Sequence, residues 1–322
     1  MNENSEKFPY EVDVLMITYN HQDYISEAIN SVINQITNFN FRLLIFNDCS
    51  YDLTEEKILK CLNHKNDRLS IIYENNVENL GFSLNGLKSL SKAKSKYIAF
   101  CEGDDYWIDS NKLQKQVDFL NENNNYVLCA SNSRILRNSI LLDEDKSISY
   151  LKDKTLNFSN LISDFTYNQI PTATTLFRRS VLDVVDFNFV KKCMFGDWPL
   201  LLEISRVGKI YFFKDFFSVY RINEKGAHSG LNSKEQKLAI IDFYKNVKFK
   251  YQEVSLLCDE QVSKVLDEYG DYIANDLTKF YQGKIISQAK YLNSRSYILD
   301  NISFVELFKL FVFKLKFLIT NT

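Results

Sequence analysis

Three carboxylates crowd into four residues at Glu102-Gly103-Asp104-Asp105. Like charges that close repel, so such a cluster makes sense where a cation or a proton neutralises it. Hard divalent cations favour carboxylate oxygens and complete their shells with substrate phosphates. The run just before it, Lys96-Tyr97-Ile98-Ala99-Phe100, is apolar enough for a buried strand. That places the acids at a strand's carboxyl end, where open α/β folds bind ligands. The competing reading is an acidic turn, with Asp109 and Ser110 as caps of the periodic run 112–120.

Such acids need a scaffold, and the first half of the chain supplies one. Strand-like runs at 12–17, 41–46, 69–73 and 97–100 alternate with helix-like segments: 23–36, one opening at 52, and 82–91. The first helix carries its apolar positions at Ile25, Ala28, Ile29, Val32 and Ile33. Asp52 is placed as the N-cap of the second, with Glu55 three residues on completing a capping box. Strands separated by helix-length segments predict βαβ units and a mostly parallel sheet flanked by helices. After residue 125 the pattern is less regular, with short strands predicted at 126–130, 174–177 and 209–213 and a helix at 198–207. From 233 onward it reads as helix nearly to the end. The best break falls at 223–232, dividing the chain into an α/β domain, 10–226, and a helical C-terminal region, 227–322.

With 39 basic against 41 acidic residues there is no global field to attract nucleic acid. The six cysteines are scattered without a CxxC pair, which points to free thiols in a reducing compartment. Residues 1–10 are polar, with no apolar leader segment, and no apolar run reaches membrane-spanning length. Together these favour a cytoplasmic protein.

Four sites fall at strand ends or helix starts on one edge of the expected sheet: Thr18-Tyr19-Asn20-His21, Asn47-Asp48-Cys49-Ser50, Asn79-Leu80-Gly81-Phe82 and the acidic cluster. With Gly196-Asp197-Trp198 and Tyr220-Arg221 downstream, the chain resembles the family 2 glycosyltransferases of bacterial surface-polysaccharide type. These have the GT-A fold and transfer a sugar from a nucleotide sugar with inversion. The resemblance runs over about 12–226, and it is the order of six weak anchors that makes it specific.

The resemblance implies roles residue by residue. Thr18, Tyr19 and Asn20 match the base-holding turn, with the Tyr19 ring packing on the nucleobase. Asp48 matches the second acid of an Asp-Asp-Gly-Ser motif and accepts a hydrogen bond from the base; Asn47 and Cys49 are departures from that motif. A turn residue ahead of the capping box is the plainer reading of Asp48. Asn79 and Gly81 fall in the nucleotide-binding set, as do Asp104, Asp105 and Arg221. The acid cluster matches the metal motif, with Glu102 in place of its first Asp. Asp104 is the expected direct ligand of Mn2+ or Mg2+, Glu102 and Asp105 its neighbours or ribose contacts, and His228 either a further metal or phosphate contact or a solvent-exposed loop residue. Asp197 matches the general base, because a sugar hydroxyl attacks only as its proton is taken. The plainer reading is a helix cap, with Pro199 in the first turn. Trp107 is expected to pack beneath the acidic loop, 169–174 to form an acceptor-side strand, and His21 and His64 to be structural or surface residues.

Residues 304–319 are apolar around most of a helical circumference, broken only by Glu306, Lys309, Lys314 and Lys316. Such a helix either packs, against the body or a second copy, or lies in a membrane interface. The expectation is therefore a metal-dependent inverting enzyme, UDP-sugar favoured, acting on a glycan or lipid-linked acceptor. It would be cytoplasmic, with peripheral contact at the inner membrane face. A nucleotidyltransferase is disfavoured because Thr18-Tyr19-Asn20-His21-Gln22 is no glycine- and basic-rich triphosphate loop. A non-catalytic binding module is the other rival: Asn47 and Glu102 favour it, Asp104 and Asp197 weigh against it.

Overall fold

A computed structural model describes residues 9–63, 66–138, 140–142, 154–163, 168–222, 226, 230–231 and 233–265. Four parallel strands form its first half: β1 (Val12–Thr18), β2 (Phe41–Asn47), β3 (Leu69–Asn75) and β4 (Tyr97–Phe100), in the order β3-β2-β1-β4. β1 and β2 are buried almost throughout, as near-continuous apolar strands are when helices cover both sheet faces. The crossovers are α1 (Ile25–Ile33), α2 (Thr54–Cys61) and α3 (Phe82–Lys92). α1 buries Ile25, Ala28, Ile29, Val32 and Ile33, the i, i+3, i+4, i+7, i+8 stripe the sequence predicts. That stripe shares a core with Val14 and Met16 of β1 and Leu43 and Ile45 of β2.

The second half adds β5 (Tyr106–Trp107), α4 (Lys112–Glu122), β6 (Tyr126–Arg137), β7 (Ile140–Leu142), β8 (Lys154–Leu156), α5 (Phe158–Ser163), β9 (Leu176–Arg178), α6 (Phe187–Lys192), α7 (Asp197–Ser205), β10 (Lys209–Ile222) and α8 (Ser233–Lys250). β9 inserts antiparallel between β4 and β6, and β10 then pairs parallel with β6. The sheet runs β3-β2-β1-β4-β9-β6-β10-β5 and is mixed beyond β4. Two antiparallel steps restore the direction of β4 in β6 and β10, so Tyr220 and Arg221 emerge at the same edge as Thr18, Asn47 and the acids.

Several local expectations shift. β6 and β10 run well past 130 and 213, and the β6–β10 register slips between Phe213 and Phe216 and again between Phe216 and Ser218. The slips absorb Lys214 and Asp215, the charges that ended the apparent strand in sequence. Thr172–Thr174 is a tight helical turn rather than an acceptor-side strand, so β9 starts only at Leu176. The capping box on α2 does not form. Asp52 accepts from Thr54 N but also from Gln22 N, while Glu55 accepts from the Tyr73 hydroxyl.

The chain divides into two compact units, Met1–Asp259 and Glu260–Thr322. No helix of the described residues is long and apolar enough to cross a membrane. His64, His228 and the segment 304–319 lie outside the described residues.

Candidate active site

β1 and β2 end in register at Thr18 and Asn47, and Asp48 N donates to Thr18 O at 2.9 Å. The turns after them are laced together. Asn20 N donates to Ser50 Oγ (2.9 Å), Tyr51 N to Asn20 Oδ1 (3.1 Å) and Leu53 N to Gln22 Oε1 (3.0 Å). Asn20 and Cys49 sit at φ 54° and 58°, the left-handed region that asparagine tolerates and cysteine does not favour. The lacing holds them there. Tyr19, 40% exposed, meets the more exposed Tyr51 edge-on at 6.2 Å, leaving ring surface open at this edge for a base.

Asp48 is buried at the start of α3. Its carboxylate accepts from Leu80 N (2.9 Å), Gly81 N (2.8 Å) and Asn76 Nδ2 (2.7 Å), placing negative charge at the helix N-terminus. Asn79 donates to Asp48 O at 3.2 Å, and Gly81 takes φ 81° to turn into the helix. Asp48, Asn79 and Gly81 therefore converge, and the first two interactions of Asp48 also hold the turn. Asn47, where the motif's first acid would stand, uses both ends of its amide: it accepts from the Ser50 hydroxyl (2.5 Å) and donates to the Tyr73 hydroxyl (3.2 Å). A carboxylate there would have no proton for Tyr73, whose own goes to Glu55.

Beyond β4 the chain keeps following β1, with Cys101 N on Leu15 O and Gly103 N on Ile17 O. At Gly103 the approach is so close that a Cβ would stand 2.5 Å from Thr18 Oγ1 and 3.0 Å from His21 Nδ1. Only glycine fits. Gly103→Ala is expected to cost about 1–3 kcal/mol of stability through this overlap and to weaken donor binding by displacing Asp104. A thermal melt and a donor titration check it; a variant melting with wild type would refute the close approach.

Asp105 is buried and accepts from Arg221 N at 2.8 Å. The Arg221 side chain donates to Asp104 O (2.8 Å) and Glu27 Oε2 (2.7 Å) and lies over the Tyr24 ring at 4.6 Å. It clamps the acidic loop to α1. Trp107 packs beneath that loop, donating to Ala173 O at 2.7 Å. Under its ring, at 4.1 Å, lies Lys112 Nζ; burial pushes this amine down to about 7. Asp104 is partly exposed and faces His21 Nε2 at 3.8 Å, while His21 Nδ1 meets Thr18 Oγ1 at 3.1 Å. His21, which the sequence leaves without a partner, thus belongs to the site.

Burial pushes the Glu102 carboxyl up to about 8, with Asp104 and Asp197 adding to the shift. Burial likewise raises Asp105, reinforced by Asp104 and Glu102. The Tyr220 phenol is raised by burial and then by Asp105, Asp104, Asp197 and Glu102, so the acidic loop and Asp197, distant from it in sequence, share one field. No set of three or more His, Cys, Asp or Glu side chains forms a complete metal cage among the described residues. What is there fits a hard cation completed by phosphates: the partly exposed Asp104 carboxylate near Glu102, whose Oε2 is buried with no hydrogen-bond partner in the described structure.

Asp197 is the first residue of α7. The helix is capped at Gly196, without a side-chain cap, and Asp197 Oδ2 instead accepts from Asn168 Nδ2 at 2.7 Å. Its carboxylate is aimed by an amide rather than spent on the helix's N–H groups. The rest of α7 is buried: Trp198 stacks on Phe243 at 3.9 Å, and Glu203 pairs with Lys250 and takes the Tyr251 hydroxyl. α8 therefore braces the helix that carries Asp197. No sequence signal marks Asn168.

Glycosyl transferase family 2 matches residues 13–185, more than half of the chain, and the protein belongs to that family. The Escherichia coli UDP-Glc:alpha-D-GlcNAc-diphosphoundecaprenol beta-1,3-glucosyltransferase WfgD is 26% identical over 274 residues, 84% of this chain and 90% of that protein. The chain spans 60% of the length of mycobacterial relatives to which it is 29% identical. Among solved structures, S. aureus TarS 1-349 with UDP-GlcNAc aligns at TM-score 0.60 and 17% identity, over 81% of this chain and 73% of that one. Mannosyltransferase PcManGT from Pyrobaculum calidifontis, with GDP-Man and Mn2+, aligns at TM-score 0.56 and 12% identity, over 92% and 82%. The fold is GT-A.

Proposed function

We propose that this protein transfers a sugar from a nucleotide sugar to an acceptor hydroxyl with inversion, assisted by Mn2+ or Mg2+. One observation carries the reading: Asp197, aimed by Asn168, shares an electrostatic neighbourhood with the acidic loop at a single sheet edge. Tyr19 offers its ring to the base. A carboxylate has about four lone-pair sites, so Asp48, with three taken, keeps one for a base N–H. Asp104 and Glu102 would hold the metal, which supplies neutralisation of charge on the departing diphosphate. Asp197 takes the acceptor's proton as its oxygen attacks the anomeric carbon opposite the leaving group.

UDP is favoured because the names of the E. coli relative and the S. aureus neighbour carry UDP-sugars. A glycan or lipid-linked acceptor is favoured on the same ground, since the E. coli relative's name specifies a diphosphoundecaprenol substrate. The region 227–322 would serve packing, self-association or membrane-interface contact, and the enzyme would work in the cytoplasm or on the membrane's inner face.

Calorimetry with a panel of nucleotide sugars, in Mn2+, in Mg2+ and in EDTA, tests the reading. One donor is expected to bind only with metal. Failure of every donor in every condition would overturn the enzyme and leave a binding module on the same fold.

A further inference from the structure

His21 lies three residues past β1 at the point where the β1 turn and the acidic loop come closest. Its ring is held on two sides. Nδ1 meets Thr18 Oγ1 at 3.1 Å, and Nε2 faces Asp104 Oδ2 at 3.8 Å. Gly103 closes the third side, where a Cβ would stand 3.0 Å from Nδ1. Nε2 presents its N–H to Asp104 both in the neutral ring protonated there, where Nδ1 accepts from the Thr18 hydroxyl, and in the doubly protonated ring, where Nδ1 donates to it. Thr18 is itself buried at the end of β1, paired in register with Asn47, so the relay starts from a sheet position.

On the reading of the site proposed above, we infer that His21 is a positioning residue. Through the Thr18–His21–Asp104 relay the ring faces Asp104 Oδ2 and sets the orientation in which that carboxylate would meet the metal–diphosphate. Groups that orient a ligating carboxylate in this way typically change metal affinity 10–100-fold when removed. The relay predicts more than loss at one position. Thr18→Val removes the hydroxyl that meets Nδ1, frees the ring to rotate, and acts in the same direction as loss of the ring. Once the ring is gone, the Thr18 hydroxyl has nothing left to orient.

The experiment is Mn2+ binding followed by electron paramagnetic resonance of the free ion, in the presence of UDP, on the full chain. Wild type, His21→Phe, His21→Gln, Thr18→Val and the double variant Thr18→Val/His21→Phe are compared, with thermal melts alongside. His21→Phe is expected to raise the Mn2+ Kd by at least 10-fold at an unchanged melting temperature. His21→Gln, which keeps an N–H donor, should recover part of the loss, and the double variant should be no worse than His21→Phe. Mn2+ affinity of His21→Phe within twofold of wild type, or fully additive losses in the double variant, overturns the relay while leaving the transferase reading intact. Wild type that binds neither Mn2+ nor UDP overturns that reading, and the relay with it.

Discussion

Asp197→Asn retains metal-dependent donor binding and loses transfer by about 10²–10⁴-fold, the range that a positioned proton acceptor contributes. Asparagine has nearly the shape of aspartate, and its oxygen still accepts from Asn168 Nδ2, which in the wild type stands 2.7 Å from Asp197 Oδ2. The helix start is unaffected, because Gly196 occupies the cap and no side chain caps it. What disappears is basicity. The amide cannot take the acceptor's proton, so the hydroxyl must attack undeprotonated. Loss is therefore expected in kcat with little change in donor Kd. Single-turnover transfer measured beside donor calorimetry separates the two, and undiminished transfer would remove Asp197 from the mechanism. Asn168→Ala is expected to act through the same carboxylate but more weakly, since it leaves the base present and merely unaimed.

The parts of this site legible in sequence are those dictated by local chain chemistry. Strand ends carry their polar residues into the site by continuity of the chain. The alternation of apolar runs and turns alone therefore puts Thr18, Asn47-Asp48 and Glu102 to Asp105 at the ends of β1, β2 and β4, where the structure has them. α1 was legible because one periodic stripe decides both its existence and its buried face. The remainder depends on pairings between distant segments. Asn168 meets Asp197 across 29 residues and Arg221 meets Glu27 across 194, and neither pair leaves a local pattern. His21 is a different case: it sits in a quoted motif, but its meaning comes from Asp104, brought to it by β1–β4 pairing. The capping box failed for a related reason. Glu55 is better satisfied by Tyr73 on the neighbouring strand than by its own helix start.

The largest expected loss of stability comes from a residue that no local pattern marks. Asp13 is a fully buried acid within β1. Its Oδ1 accepts from Arg42 Nε (2.7 Å) and Ser95 Oγ (2.7 Å). Its Oδ2 accepts from Arg42 Nη2 (2.8 Å), Lys94 N (2.6 Å) and Ser95 N (2.8 Å). The carboxylate thus joins β1 to β2 through Arg42 and to the entry of β4 through residues 94 and 95. Burial by itself would raise its pKa, but the hydrogen bonds outweigh burial and hold it below the usual 3.8. Asp13→Asn keeps the shape, removes the charge and leaves the Arg42 guanidinium, largely buried, without its counter-ion. Breaking one side of such a pair costs about 3–5 kcal/mol, a large share of the roughly 5–15 kcal/mol that holds a typical domain. The sign with pH follows from the depressed value. The stabilisation is complete above the unfolded pKa near 3.8 and is lost as pH falls through the lower folded value. Urea unfolding at pH 7 should show the full deficit in Asp13→Asn. Below about pH 4 the wild type should converge toward the variant as its own carboxylate takes up a proton. A deficit that persists unchanged into acid would mean that the hydrogen-bond pattern at this position, with acceptors on both oxygens, rather than charge, holds the three strands together.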